Sequence, residues 1–355
     1  MRIMLLAVLL STLLGCSKTE LIYRNADWLI ETWVDQQLEL TSEQKTAWRQ
    51  QLNLVLLRHR EVELAQLTGF LREFERHAEH QLSEAVVECL VARADDLLRH
   101  HAKLAVDLTV PLLMGLTDRQ ITLLAENLEE RDAQYRQKYL EGDAEQRARD
   151  RAQRVLERIE RWSGALDARQ RNLVALATRE MPDLAGSWLD YRRERQRQLL
   201  LLLRNRAGPD ALREFLDAWW VELAGRPRSL VDAVQAVRRT TVALLSRLDR
   251  TLSPEQRREL VTRISRLRAD LAALAGAAPV AEPVCFERSA GAAAIPEGER
   301  RNAVTAGIRD LETPLWVTLA PSRPAWRRAS GPDPRPEPVT SWASRPAAAR
   351  AGPPL

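Results

Sequence analysis

Four times along the chain a leucine is followed by a small oxygen-bearing residue, two variable residues and a glutamine. The copies are Leu40-Thr41-Ser42-Glu43-Gln44, Leu116-Thr117-Asp118-Arg119-Gln120, Leu166-Asp167-Ala168-Arg169-Gln170 and Leu252-Ser253-Pro254-Glu255-Gln256. Each reads as a helix start. Thr, Asp or Ser at the N-cap accepts a hydrogen bond from the N3 amide, and Gln at N3 reaches back to the N-cap amide. Pro254 falls at N1, where its missing N–H costs nothing. The leucine stands one residue before the cap, where it staples to N4 if N4 is apolar. Ile121 meets that condition; Lys45, Arg171 and Arg257 do not. No segment alternates with period two. A chain punctuated in this way is expected to be all-α.

The apolar spacing agrees. Trp48, Leu52, Val55 and His59, then Leu64, Leu67, Leu71 and Phe74, recur at three- and four-residue steps. Gly69 is expected to loosen that helix. After a Ser83 cap, Val87, Leu90, Ala94, Leu97, His101, Leu104 and Leu108 form the cleanest stripe, which Pro111 is expected to break. The fold class predicted is an all-α, multi-helix antiparallel bundle. The motif pair at 40 and 116 is echoed by the pair at 166 and 252, which suggests a duplication: a first helical half over 27–164 and a second over 165–276. Beyond these, 277–355 holds thirteen of the chain's 18 prolines without a sustained period. It is expected to be a disordered Pro/Ala/Arg-rich tail. Cys285 falls in it. Cys89, on a helix, therefore reads as a small buried apolar residue, with a disulfide to Cys285 the lesser alternative.

The first fifteen residues set the address. Arg2 precedes an uncharged run, Ile3 to Leu14, shorter than the roughly 20 residues a spanning helix needs and suited to a secretory signal peptide. It ends in Leu13-Leu14-Gly15-Cys16, which resembles a bacterial lipobox. Cys16 is then the acylated first residue, and 16–26 a tether. Ser17 follows rather than an Asp, so the expected location is the cell envelope, lipid-anchored at the periplasmic face of the outer membrane. The partners expected are that membrane and an unknown envelope protein or unfolded client. Arginine, interleaved with Glu and Asp, supplies nearly all the basic charge, which describes solvated helix faces, and nucleic acid is not an expected partner.

Chemistry is sparse. The chain has no Gly-rich phosphate loop, nucleophile elbow or His-Glu-x-x-His, so no enzyme activity, metal or cofactor is expected beyond the covalent lipid on Cys16. All five histidines lie between His59 and His101, and a hairpin turning near Leu82 sets His59, His100 and His101 at similar heights. The tryptophans Trp28, Trp33, Trp48, Trp188, Trp219 and Trp220 read first as core or groove lining, and an exposed cluster among Trp28, Trp33, Trp48, Trp219 and Trp220 is the candidate binding surface. The motif residues Thr41, Gln44, Thr117, Gln120, Asp167, Gln170, Ser253 and Gln256 read first as helix caps.

Two resemblances extend this reading. Leu-Thr-x-x-Gln copies in an all-helical exported chain resemble the Spy/CpxP periplasmic chaperone and stress-sensor family, which implies a cradle for unfolded clients. A closer likeness covers Cys16 to about Gly276. The lipobox, Leu21-Ile22-Tyr23, Asn25, Asp27-Trp28-Leu29, Leu40 to Gln44 and His59-Arg60 are similar to a proteobacterial lipoprotein family of unknown function. That likeness implies architecture and location, and a non-catalytic interaction or structural role.

Overall fold

All four motif copies open helices in the computed structural model, which describes residues 18–275 and Cys285. The first helices are α1 (Lys18–Arg24), α2 (Ala26–Leu38) and α3 (Ser42–Arg58). The last widens into one π turn, His59–Glu63, and continues as α4 (Leu64–Ala78). Then come α5 (Glu84–Met114), α6 (Asp118–Tyr139), α7 (Ala144–Ser163), α8 (Ala168–Glu180) and α9 (Ala185–Arg204). α10 (Pro209–Leu216) runs into a second π turn, Asp217–Val221, before α11 (Arg228–Asp249) and α12 (Pro254–Leu274). Among the described residues there is no strand, and no helix is long and apolar enough to cross a membrane. The protein is an all-α helical bundle.

The main core gathers inward stripes from α2, α3, α5, α6, α9, α10 and α11, with Leu52, Val106, Leu212, Leu216 and Leu230 sealed from solvent. It crosses the boundary at 164/165. α4 packs along α12, α6 along α9 and α5 against α11. Leu71 and Ala78 of α4, for example, share a cluster with Leu260 and Ile264 of α12. Buried ion pairs stitch the same helices: Arg192 on α9 to Asp132 on α6 at 2.6 Å, and Arg238 on α11 to Asp95 on α5. Removing one partner of such a pair strands the other charge and costs about 3–5 kcal/mol.

Three local expectations are corrected. Pro111 does not break α5, which runs on to Met114. So near the helix end a proline forfeits a single backbone bond, and the burial of Val110 and Leu113 holds the last turn. The long helix departs from α geometry at His59–Glu63 rather than at Gly69, which is buried mid-helix. The expected tether is helical from Lys18. Its Glu20 and Arg24 pair at i,i+4, with the acid in the first turn and the base in the last, as the helix dipole favours.

The reading of Cys89 is also corrected. It forms a disulfide with Cys285, whose Cα lies 5.7 Å from its own. Cys285 is buried. Its N–H donates to Glu73, and its carbonyl lies 2.7 Å from His77 Nε2. Pro/Ala-rich composition does not forbid docking of one residue where a thiol and two polar groups wait for it. The rest of 277–355, the expected signal peptide and Cys16 lie outside the described residues. The bridge closes a loop with a sequence separation of 196, which in the chain-entropy view restrains the unfolded chain by about 5 kcal/mol. Cys285→Ala is expected to lower unfolding stability by about 2–5 kcal/mol. Urea titrations with and without dithiothreitol check this: the reductant should shift the wild-type midpoint down to the variant's and leave the variant's own midpoint in place.

Candidate functional site

The motif glutamines do more than cap. In each copy the Gln Oε1 accepts the N-cap amide, at 2.9 Å for Thr41, 3.0 Å for Thr117, 2.9 Å for Asp167 and 2.9 Å for Ser253. Its Nε2 is left with two hydrogens. One goes to the glutamine of another copy: Gln44 and Gln120 donate to each other at 3.0 and 2.8 Å, Gln170 and Gln256 at 2.8 and 2.9 Å. The other goes to the carbonyl just before the partner's leucine. Gln44 donates to Gly115, Gln120 to Glu39, Gln170 to Thr251 and Gln256 to Ala165. The result is two clasps with the same bonding scheme, pairing 40 with 116 and 166 with 252. Their leucines are buried except Leu252, which is half-buried.

This explains the residue type. A capping box alone accepts Glu or Gln at N3. A reciprocal pair needs donors, and a carboxylate there would face another acceptor. A groove of about 570 Å³ lies over the second clasp. Its acidic residues are engaged: Asp167 accepts from the Gln170 amide, Glu255 pairs with Arg258 and Glu259 with Arg263. The clasps are structural.

The histidines give the second constellation. His59 Nε2 and His101 Nε2 are 3.2 Å apart, the Tyr23 hydroxyl lies 2.9 Å from His59 Nδ1, and His101 Nδ1 lies 2.6 Å from the Leu97 carbonyl. That carbonyl only accepts, so His101 carries its proton on Nδ1 and accepts at Nε2. His59 then donates from Nε2 and accepts at Nδ1 from Tyr23. The chain runs in one direction, from α1 through the π turn to α5. Burial first, and then the neighbouring His101, pull the His59 pKa down to about 4; the nearby Glu63 carboxylate opposes them. Beside it, His100 Nε2 lies 2.9 Å from Glu63 Oε1, a carboxylate sealed from solvent in the π turn. Among the described residues no cluster of three or more His, Cys, Asp or Glu side chains is placed to hold a metal ion.

The tryptophan surface needs correction. Trp48, Trp219 and Trp220 are buried in the main core, because α3 and the second π turn present them inward. Trp33 is half-buried, with the Arg131 guanidinium 5.2 Å above its ring. Trp28 alone of the five is exposed, at 63%. Sequence reasoning missed Tyr23 and Glu63 as partners of the histidines. The signal available was the position of Tyr23 on the helix, opposite Leu21 and Trp28.

Two predictions follow from these geometries. Gln170→Glu keeps the cap but loses both donors and sets a buried carboxylate against Gln256 Oε1. It should cost about 2–4 kcal/mol at pH 7 in urea unfolding. Gln146→Glu, at N3 of α7 but outside any clasp, should change stability by less than about 0.5 kcal/mol. For His59, the folded pKa lies below the unfolded value of 6.5, so the unfolded chain takes up the proton between the two. Its contribution to stability is complete above pH 6.5 and is lost as the pH falls towards 4. Asp95, pushed up to about 6 by burial against the pull of Arg238, acts in the opposite sense over pH 3.8–6. Both terms shape the bare profile, but Asp95 cancels in a comparison with His59→Gln. The advantage of wild type over His59→Gln should therefore shrink as the pH is lowered from 6.5 to 4.

No curated protein matches the chain, and neither does any solved structure. The profile of one family does match, over residues 36–221, which is just over half of the chain. The matched span runs from the end of α2 to the end of the second π turn and includes three of the four motif copies. The chain belongs to that family, a family of unknown function (DUF6279).

Proposed function

We propose that this protein is an acylated envelope lipoprotein, held by Cys16 at the periplasmic face of the outer membrane, whose helical body binds a partner and catalyses nothing. The observation that carries the reading is Leu13-Leu14-Gly15-Cys16 directly behind the uncharged run that starts at Ile3. The Cys89–Cys285 bridge supports export, because disulfides persist in oxidising compartments. The body supports binding over catalysis. His59 and Asp95, whose protonation is strongly displaced, are spent on contacts between helices, His59 with Tyr23 and His101 and Asp95 with Arg238.

A Spy-like holdase is the second reading. The motif glutamines are spent on each other, so a client would have to meet another surface. What favours it is the exposed apolar side chains on α1, α2 and α3, Leu21, Ile22, Trp28, Leu54 and Leu57 among them.

Palmitate labelling and membrane fractionation test the first reading. The wild-type chain should take up label, begin at Cys16 and sediment with outer membrane; Cys16→Ala should be unlabelled and lose the Cys16 N-terminus. An unlabelled wild type defeats the reading. The unacylated chain from Ser17 should leave the aggregation of two unrelated denatured proteins unchanged at equimolar ratio. Suppression of both would put the holdase reading first.

A further inference from the structure

The stretch Leu21 to Leu29 is split between two faces. Tyr23 and Ile30 turn inward, to His59 and to the main core. Leu21, Ile22, Trp28 and Leu29 turn outward and are exposed at 60%, 61%, 63% and 40%. Leu21 and Ile22 lie on the outward side of α1, and Trp28 and Leu29 on the outward side of the first turn of α2, just past the break at Asn25 (φ −109°, ψ 17°). Asn25, between the two pairs, spends its side-chain amide on the Leu21 carbonyl at 2.7 Å, so it offers less polarity to whatever lies outside. A surface helix ordinarily puts charge there.

The neighbouring helix adds to the ridge. Tyr23 meets His59 and Glu31 pairs with Arg49, which fixes α3 antiparallel to α1–α2 and brings Leu54 level with Trp28. Both helices sink their inward stripes, Ile30, Val34, Trp48 and Leu52, into the same core. Their outward faces therefore look to the same side, and Leu54 and Leu57 there are 63% and 51% exposed.

We infer that this ridge is a bilayer-contacting face, seated in the headgroup and upper acyl region of the membrane that holds the anchor. The inference rests on the Cys16 reading. Four residues separate Cys16 from Leu21, and the five residue steps, even fully extended, reach only about 18 Å. With Lys18 already helical the reach is shorter. An apolar face held that close to lipid has the bilayer as its nearest apolar phase. Trp and aliphatic residues on an in-plane helix are what that interface takes up. The ridge turns a point anchor into a seat with one orientation, in which the body stands on α1 to α3.

The test uses the full mature chain in phosphatidylethanolamine/phosphatidylglycerol vesicles. Lipids brominated on the acyl chain should quench a tryptophan component that is present in the acylated wild type and missing from Trp28→Phe. Without acylation, the chain from Ser17 should still bind vesicles weakly. Leu21→Glu/Trp28→Glu should weaken that binding at least about tenfold, with helicity unchanged by circular dichroism. An acylated chain that floats with vesicles while Trp28 stays unquenched overturns the ridge and leaves the anchor standing. A chain never acylated at Cys16 overturns the anchor, and vesicle binding of the unacylated chain still decides the ridge. A ridge that stays dry in vesicles but whose Glu variants abolish cross-linking to an envelope protein is a protein-docking face, which also overturns the inference.

Discussion

The fold depends on a glutamine that satisfies three partners at once. At N3 it closes its own cap, exchanges bonds with a second N3 glutamine and reaches the carbonyl before that partner's leucine. None of these bonds is strong. Each is worth about 1 kcal/mol net, because water would otherwise supply the same partners. Their force lies in geometry, since a buried amide with one unmet hydrogen costs more than a made bond gains. Gln120 and Gln170 are each almost fully buried. The starts of α3 and α6, and of α8 and α12, are thus locked head to head, with sequence separations of 76 and 86 between the paired glutamines. Each pair brackets an excursion of the chain. The helices between must go out and return to a fixed point, which sets their combined lengths before any side chain packs.

Much of this was legible in the sequence because caps and apolar periods are local. The four starts, the all-α class and the levels of His59 and His101 all follow from spacing within a helix or across one hairpin. The pairing of 40 with 116 and of 166 with 252 was visible as an echo, but its cause was not. Capping explains why position N3 is Glu or Gln, and only the distant partner explains why it is Gln. The misses share a physical form. Trp48, Trp219 and Trp220 look the same in sequence as Trp28, and which face of a helix turns inward is settled by what packs there. Composition spoke for a long stretch after 276, yet one cysteine docks, because a specific bond can outweigh an average. Proline at 111 was weighed as a mid-helix break, though its effect depends on how many bonds follow it.

Charge is handled as the caps are, by partnering across distance. Asp132 with Arg192, Asp95 with Arg238 and Asp249 with Arg257 are each largely withdrawn from water. Hydrophobic residues of the same shape would often serve stability as well. What the ion pairs add is discrimination among packings. In a bundle whose helices carry similar Leu/Ala/Arg stripes, a shifted register would bury an unmatched guanidinium. α6 is thereby told from α8 as a partner for α9, and α5 as a partner for α11. This matters most where the segments 27–164 and 165–276 meet, because repeated motifs invite helices to exchange places.

The N-terminal helix shows how the two kinds of constraint combine. On its inward side Tyr23 donates into a chain of histidines, which runs one way and leaves no spare donor or acceptor for a rotated helix. Turning α1 by a third of a revolution would pull the hydroxyl from His59 Nδ1 and leave that half-buried nitrogen unmet. The outward direction of Leu21 and Ile22 is therefore fixed by polar bonds behind them, and that of Trp28 by Ile30 and Val34 packed into the core behind it, not by anything they touch. A face held rigid in this way has already met the entropy cost of ordering before it meets a second surface. Free apolar side chains on a loose tether would fold back on themselves or on the body. These cannot, because the polar chain behind α1 and the core packing behind α2 hold them out.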